Sequence, residues 1–433
     1  MERIVIEGGN RLEGELTVQG SKNSALPIIA ATVATQSLCV IHNCPNLTDI
    51  KAALKILKYL GCSVEMSGNT LTVDSSTLDR YDVPENLMHE MRSSIVFLGP
   101  LISRAGKAFL STPGGCEIGI RPINLHIYGM EKLGVKVSEE GGKLACRCEK
   151  GLKGADISLS FPSVGATENI IIAACTAVGE TTIMNAAREP EIVDLVRFLN
   201  SCGARIEGAG EGTIVIHGVK KLHGAEHTVI PDRIVASTYM AAAAVTGGAV
   251  ELKKIMPVHL SPVISNFEQA GCKIRMSGDE LIMVAPKRLE NFNLIRTMPY
   301  PGFPTDTQAI AMAMACVANG TSVIIETIFE CRYKHVPELS RLGANINVEG
   351  RMAVIVGVNK LIGAQVAASD LRGGAALAVA GLAAEGKTII SQVKHIDRGC
   401  EAFEENLRAL GANIRREIDE KGSKKTIGKK HSL

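Results

Sequence analysis

Leu60-Gly61-Cys62-Ser63-Val64 and Leu342-Gly343-Ala344-Asn345-Ile346 are two copies of one phrase. It returns on Gly134, Gly203, Gly271 and Gly411. Each glycine is followed by a small or apolar residue, and Val or Ile stands two places after that. The six copies lie about 70 residues apart. A period of that length is a whole supersecondary unit, so one small fold has been used six times.

The residues on either side of the phrase give the unit its order. A first strand is often announced by Leu-x-Gly, as in Leu12-Glu13-Gly14, Leu152-Lys153-Gly154, Leu222-His223-Gly224 and Leu361-Ile362-Gly363. A polar loop leads into a first helix rich in Ala, Ile, Val and Met. Ile170 to Val178, Ile234 to Val245, Ala309 to Ala318 and Ala375 to Ala384 are examples. These helices are apolar nearly all round, which predicts burial. Gly106, Gly179, Gly247, Gly320 and Gly386 follow the first helices and read as left-handed caps. A second strand comes next, then an amphipathic helix such as DIKAALKILKYL, Asp49 to Leu60, which ends at the repeated glycine. Two short strands close the unit, giving β-α-β-α-β-β.

Buried helices require the sheets to be outer walls. The expected fold is α/β, an inside-out α/β barrel of two similar globular domains, each with three units. At 433 residues the chain is too long for one ordinary core. Residues 22–230 form the first expected domain, and residues 1–21 with 231–418 the second. The lysine-rich, aperiodic stretch 419–433 is expected to be a disordered tail.

Composition excludes several functions. A net charge of +2 lacks the basic excess of a nucleic-acid binder. No apolar run reaches membrane-spanning length, and the alternating start Met1-Glu2-Arg3-Ile4-Val5-Ile6 is not a signal peptide. Twelve cysteines scattered through apolar segments suit free thiols in a reducing cytoplasm. Cys146 and Cys148, two apart, read as core residues of one strand. No Cys-x-x-Cys occurs, and His223 and His227 bracket a turn at Gly224, so no metal or cofactor is expected.

Helix starts carry unpaired N–H groups and a positive dipole end, so they are natural anion sites. The first helices open at Lys22-Asn23, Arg92, Ser163, Asp232-Arg233, Asp306 and Asp370-Leu371-Arg372. The second helices open near Asp49, Cys116 to Arg121, Glu189 to Glu191, His259, Arg332 to His335 and Asp397-Arg398. Lys22, Arg92, Arg121, Arg332, Arg372 and Arg398 are too many cations at equivalent ends for capping alone. They suit a small substrate bearing phosphate and carboxylate, for which Arg supplies bidentate contacts. The plainer alternative is local ion pairing, such as Asp370 with Arg372.

One connection breaks the repeat: Pro113-Gly114-Gly115-Cys116-Glu117-Ile118-Gly119-Ile120-Arg121-Pro122. A thiol among glycines, with Arg121 nearby, should be more acidic than the usual cysteine, pKa about 8.5. Cys116 is therefore a candidate acid or nucleophile. Asp306 is the candidate base; its plain alternative is a helix N-cap.

Gly20-Ser21-Lys22-Asn23, the Pro113 to Pro122 loop, Ala187-Arg188-Glu189-Pro190-Glu191, Phe303-Pro304-Thr305-Asp306, Asp370-Leu371-Arg372 and His395-Ile396-Asp397-Arg398-Gly399 together carry a family resemblance. From Met1 to about Arg416 the chain closely resembles the UDP-N-acetylglucosamine 1-carboxyvinyltransferases, the enolpyruvyl transferases that open peptidoglycan synthesis. The resemblance implies that phosphoenolpyruvate gives its enolpyruvyl group to the 3-hydroxyl of UDP-N-acetylglucosamine and that phosphate leaves. It implies a catalytic set of Cys116 as acid, Asp306 as base, Lys22 and Arg398. Lys22, Arg121 and Arg398 would hold phosphate, and Arg332 and Arg372 the carboxylate, with Asp370 among the substrate-binding residues. Asn23, Arg92, Arg121, Pro122, Ile123, Asn124, Leu125, Ser163, Val164, Gly165, Asp306 and Ile328 would line the sugar-nucleotide site.

The resemblance also implies a cytoplasmic monomer and a cleft that closes on the UDP-sugar, with the Cys116 loop as lid. Asn124, Cys331 and Cys400 stand where the family usually has an acid, Asn and Tyr. Three other readings are enolpyruvylshikimate phosphate synthase, an RNA-end-processing enzyme, and a non-catalytic sugar-nucleotide sensor. The near-neutral charge argues against the second. The presence of Cys116, Asp306, Lys22 and Arg398 argues against the third.

Overall fold

The computed structural model describes residues 2–111, 119 and 122–418. Six four-stranded sheets are found among them, all of one topology. In the first sheet, Glu226–Thr228 pairs parallel with Leu38–His42. Leu38–His42 pairs antiparallel with Thr70–Asp74, and Thr70–Asp74 with Ser63–Ser67. Each sheet sets the unit's first strand beside the second and the fourth between the second and third, but the expected contiguity is corrected where the chain crosses between the cores: the strand after Leu12 joins the sheet of Ala249–Lys253, and Glu226–Thr228 takes its place here.

Six mostly buried helices run inside these sheets: α1 (Lys22–Thr35), α2 (Leu98–Ala105), α3 (Val164–Ala174), α4 (Arg233–Val245), α5 (Thr305–Val317) and α6 (Leu371–Ala383). Helices α1, α2 and α3 pack on one another, as do α4, α5 and α6. Their Ala, Ile and Gly faces allow this: a helix rich in small residues can be surrounded by neighbours on all sides without voids. The outcome is the inside-out α/β barrel.

Two hydrophobic cores result. One gathers residues from Ala25 to Val229, and the other Ile4 to Val18 together with Val235 to Ile414. The chain passes between them twice, and the two crossings are bonded side by side. Ser21 N donates to Ile230 O at 2.7 Å, and Asp232 N to Gln19 O at 2.9 Å. The N-terminal strands complete sheets of the second core: Glu2–Glu7 lies between Lys387–Ser391 and Asn413–Ile418, and Glu13–Thr17 pairs with Ala249–Lys253.

The six repeated glycines share one backbone state. Gly61, Gly134, Gly203, Gly271, Gly343 and Gly411 have φ of +96°, +93°, +94°, +92°, +91° and +97°. At Gly61 the N–H reaches Lys58 O, and Cys62 N reaches Leu57 O. The same two bonds recur at the other five positions. This is the Schellman end, which satisfies orphan carbonyls by a left-handed residue and so favours glycine.

Three local expectations are corrected. Of the five glycines after first helices, Gly106 and Gly247 close the helix: Gly106 N bonds to Ile102 O, and Gly247 repeats the Schellman pair, its N–H to Ala244 O and Gly248 N to Ala243 O. Helices α3, α5 and α6 end three to five residues before Gly179, Gly320 and Gly386, which instead take positive φ in the turn into the next strand. The first helix of the second unit is broken into a 3-10 turn, Arg92–Phe97, and α2. The second helix of the last unit is likewise split, so Arg398 ends the 3-10 turn Val393–Arg398 rather than opening a helix.

Candidate functional site

The starts of α1, α4, α5 and α6 converge. Lys22 N donates to Asp232 Oδ2 at 3.3 Å, joining the α1 and α4 starts. Asn23 Nδ2 reaches Asp306 Oδ2 at 3.4 Å, joining α1 to α5. Arg372 Nη2 reaches the same Oδ2 at 3.3 Å, joining α6 to α5. The sequence places these groups on equivalent ends, and the packing brings the ends to one cleft.

Two acids organise the cations there. Asp306, in the first turn of α5, takes Arg332 Nη2 at 2.8 Å on Oδ1 and Arg372 on Oδ2. It is not a cap: Pro304 holds that place, and no side chain caps the helix. Burial alone would raise its pKa, but the Arg372 and Arg332 charges overcome this and hold the carboxyl far below the usual carboxylate range. Arg332 is buried and also donates to Thr305 O.

The second acid is Asp49, in the first turn of the helix Thr48–Tyr59. Lys22 Nζ lies 3.1 Å from its Oδ2, and Arg398 Nε 2.8 Å from its Oδ1. Burial opposes its charge, and the Lys22 and Arg398 charges prevail, lowering its pKa. Four cations thus engage the carboxylates of Asp306 and Asp49 in one cleft, with Asp232 also beside Lys22 and Arg372.

The plainer alternative, an Asp370–Arg372 ion pair, gives way to a capping contact. Asp370 caps α6, its Oδ1 accepting from the backbone N–H groups of Arg372 and Gly373 at 3.0 and 3.1 Å. That capping turn aims the Arg372 side chain at Asp306. Behind it lies His335, buried with neither ring nitrogen paired among the described residues. Burial pushes its pKa down to about 4, so it is neutral. Cys400 lies beside Arg372, Asp232 and Lys22, and burial pushes its thiol up to about 12. A neutral thiol there leaves the charge of the cation cluster unchanged.

The flank of the site is built from α3 and the helix Asn124–Lys132. Ser163 caps α3, accepting from Ala166 N at 3.4 Å. Val164 and Gly165 open the helix half-buried. A side chain at Gly165 would come within 3.1 Å of the His126 ring, so glycine lets that ring approach. Asn169 Nδ2 donates to His126 Nδ1 at 2.8 Å. Burial and the Arg92 charge push His126 down to about 4. Pro122 and Asn124 are exposed, and Ile123 and Leu125 half-buried. Ile328 N donates to Glu326 Oε1 at 2.8 Å in the turn that leads to Arg332.

Cys116 and Arg121 lie outside the described residues, as does 419–433. The one described residue between Cys116 and Arg121, Gly119, has φ +129°. A Cβ there would meet Glu330 Oε2 at 2.7 Å and Cys331 N at 3.6 Å, so Gly119 lies against the segment just before Arg332. Cys331 is exposed, and the other described cysteines, Cys146 and Cys148 included, are buried. His227 Nε2 pairs with Asp194 Oδ1 at 3.0 Å. No group of three or more His, Cys, Asp or Glu side chains among the described residues is arranged to hold a metal ion. No described helix is long and apolar enough to cross a membrane.

Sequence reading had named most of these residues but missed Asp49 as a partner of two cations. Its signal was an acid on a helix start equivalent to those carrying Arg332 and Arg398. His126 was also missed; its burial beside Gly165 has no local sequence mark.

Residues 6–407 match the family model for EPSP synthase (3-phosphoshikimate 1-carboxyvinyltransferase). Among curated proteins, UDP-N-acetylglucosamine 1-carboxyvinyltransferase 2 of Caldanaerobacter subterraneus subsp. tengcongensis is 51% identical over 414 residues, covering 96% of this chain and 99% of that protein. UDP-N-acetylglucosamine 1-carboxyvinyltransferase 1 of Symbiobacterium thermophilum is 50% identical, covering 96% and 95%. Among solved structures, the enolpyruvyl transferase NikO from Streptomyces tendae superposes with a TM-score of 0.87 at 28% identity, covering 96% and 98%. The match along most of the chain, the relatives and the shared fold agree: the chain belongs to the EPSP synthase family of enolpyruvyl transferases.

Proposed function

We propose that this protein transfers the enolpyruvyl group of phosphoenolpyruvate to the 3-hydroxyl of UDP-N-acetylglucosamine, releasing phosphate, the first committed step of peptidoglycan synthesis. The observation that carries the reading is the pair of cation clusters in one cleft, Lys22 with Arg398 and Arg332 with Arg372. Phosphoenolpyruvate has two anionic groups, phosphate and carboxylate, and the clusters supply a partner for each. Relatives about 50% identical bear the name of this activity, which favours it over shikimate 3-phosphate as acceptor. EPSP synthase from Acinetobacter baumannii is 19% identical.

In the proposed reaction the sugar hydroxyl oxygen bonds to the central carbon of phosphoenolpyruvate. Its proton passes to Asp306, and the methylene carbon takes a proton from Cys116. The tetrahedral adduct then loses phosphate from the central carbon, the methyl group returns a proton to the Cys116 thiolate, and the proton on Asp306 leaves with the phosphate, restoring the double bond and both residues. Lys22, Arg121 and Arg398 stabilise the departing phosphate. Asp306 held by two arginines is a weak base. A substrate carboxylate that engages Arg332 and Arg372 shares their charge and raises the proton affinity of Asp306 in the presence of substrate. Asn23, Arg92, Asp370, Ile328 and the segments 121–125 and 163–165 line the site for substrate. We propose residues 22–230 as one domain and residues 1–21 with 231–418 as the other. They work as a cytoplasmic monomer that closes on the UDP-sugar, removing water and strengthening each charge contact.

The test is phosphate release from phosphoenolpyruvate with each acceptor in turn. Release with UDP-N-acetylglucosamine and none with shikimate 3-phosphate is expected. The reverse pattern overturns the reading.

A further inference from the structure

The resemblance assigns no role to Asp49, yet among the described residues it is the acid on which the two phosphate-end cations meet. Its carboxylate is 4% exposed, Lys22 10% and the Arg398 side chain 33%. The acid therefore lies deeper than the groups it holds, behind them rather than across the opening. Arg398 is gripped side-on, Nε on Oδ1 at 2.8 Å and Nη2 on Oδ2 at 3.4 Å, which fixes the plane of the guanidinium. Lys22 Nζ shares Oδ2 at 3.1 Å. A lysine side chain left alone samples many rotamers, so this contact selects one of them.

The contact also joins distant parts of the molecule. Lys22 and Asp49 belong to the Ala25–Val229 core side, and Arg398 to the other. Two neighbouring bonds brace the same junction. Thr48 Oγ1 donates to Asp397 O at 3.3 Å, and Asn46 N to Glu401 Oε2 at 3.1 Å. Asp49 sits at the centre of this seam, on a helix start whose neighbours are already docked.

We propose that Asp49 is a positioning residue that sets Lys22 and Arg398 side by side as one phosphate-binding unit before substrate arrives. This rests on the reading that the cleft takes the phosphate of phosphoenolpyruvate. An acid that merely competed with substrate would behave oppositely: its removal would tighten phosphate binding by raising the local positive charge.

The experiment compares wild type with Asp49→Asn, which keeps the shape and removes the charge. Inorganic phosphate is titrated by calorimetry, and steady-state KM is measured for each substrate. Expected are a loss of phosphate affinity and a rise in KM for phosphoenolpyruvate, each about tenfold, as for a lost charge-assisted hydrogen bond. KM for UDP-N-acetylglucosamine should stay within about twofold. Asp49→Glu should recover part of the phosphate affinity, a rescue that a purely structural role would not give. Unchanged or tighter phosphate binding overturns the proposal, as does an equal rise in both KM values with a lowered melting temperature. If Asp49→Asn does not fold, Asp49→Glu carries the test, and the same split between substrates is required of it. Phosphate binding is read without turnover. A wild type that binds phosphate but transfers no enolpyruvyl group therefore overturns the functional reading and leaves this one standing.

Discussion

Cys116 and Asp306 stand at two ends of what a single residue can reveal. Cys116 is marked by its surroundings in the sequence, three glycines and an arginine within a short loop. Asp306 is marked by the structure, where Arg332 and Arg372 converge on it. With the role proposed for Cys116, its thiol is open to an electrophile that carries a phosphonate. Fosfomycin with UDP-N-acetylglucosamine is expected to add its mass to the wild-type chain and nothing to Cys116→Ser, which should also lose most turnover. Intact-mass spectrometry decides this, and an unchanged wild-type mass contradicts it. The residues that differ from the family are accommodated locally. Cys400 is buried and uncharged, and Asn124 opens its helix with its side chain exposed.

Helix ends carry the repeat at the scale of elements. All six phrases put glycine at the same positive φ, so substitution separates backbone strain from crowding. A Cβ at Gly134 meets nothing within 4 Å, whereas at Gly61 it falls 2.6 Å from Asp79 Oδ1 and 3.1 Å from Thr77 O. Gly134→Ala is expected to cost about 1–2 kcal/mol from the left-handed backbone alone. Gly61→Ala should cost more. Urea unfolding of both variants measures the difference, and equal losses would show that contacts with the 77–79 segment do not matter. The phrase was legible because a Schellman end is decided by a few neighbouring residues. Gly179, Gly320 and Gly386 depart from the expected caps because a left-handed glycine serves a turn as well as a cap, and the sequence marks both alike.

The whole molecule ties buried ionisable groups to its stability. His126 is deeply buried and held neutral, with pKa near 4, against about 6.5 for an unfolded histidine. Between those values the unfolded chain binds the proton and the folded one does not. Stability from this group is therefore full above pH 6.5 and is lost as pH falls toward 4, by up to about 3 kcal/mol. His126→Gln is expected to flatten that part of the stability curve, measured by chemical unfolding at a series of pH values. An unchanged slope would mean that the ring is protonated inside the fold. The same burial that lowers His126 makes the Lys22, Arg332 and Arg372 charges strong in the cleft, because little water screens them.

The sequence alone determined the repeat, the glycines that end its second helices, the apolar helices that must lie inside, and the recurrence of cations at equivalent places in the units. Each of these is set by neighbours within a turn or two, or by periodicity. It could not determine who pairs with whom. Arg372 turns to Asp306, 66 residues away, because Asp370 is used by the helix start beside it. Arg398 meets Asp49 across 349 residues, and strand Glu2–Glu7 closes a sheet at the other end of the chain. Arg398 and Asp49 come from different cores, while Arg372 meets Asp306 and Glu2–Glu7 joins its sheet within the second core; in each case only the folded chain sets the distance between residues so far apart in sequence.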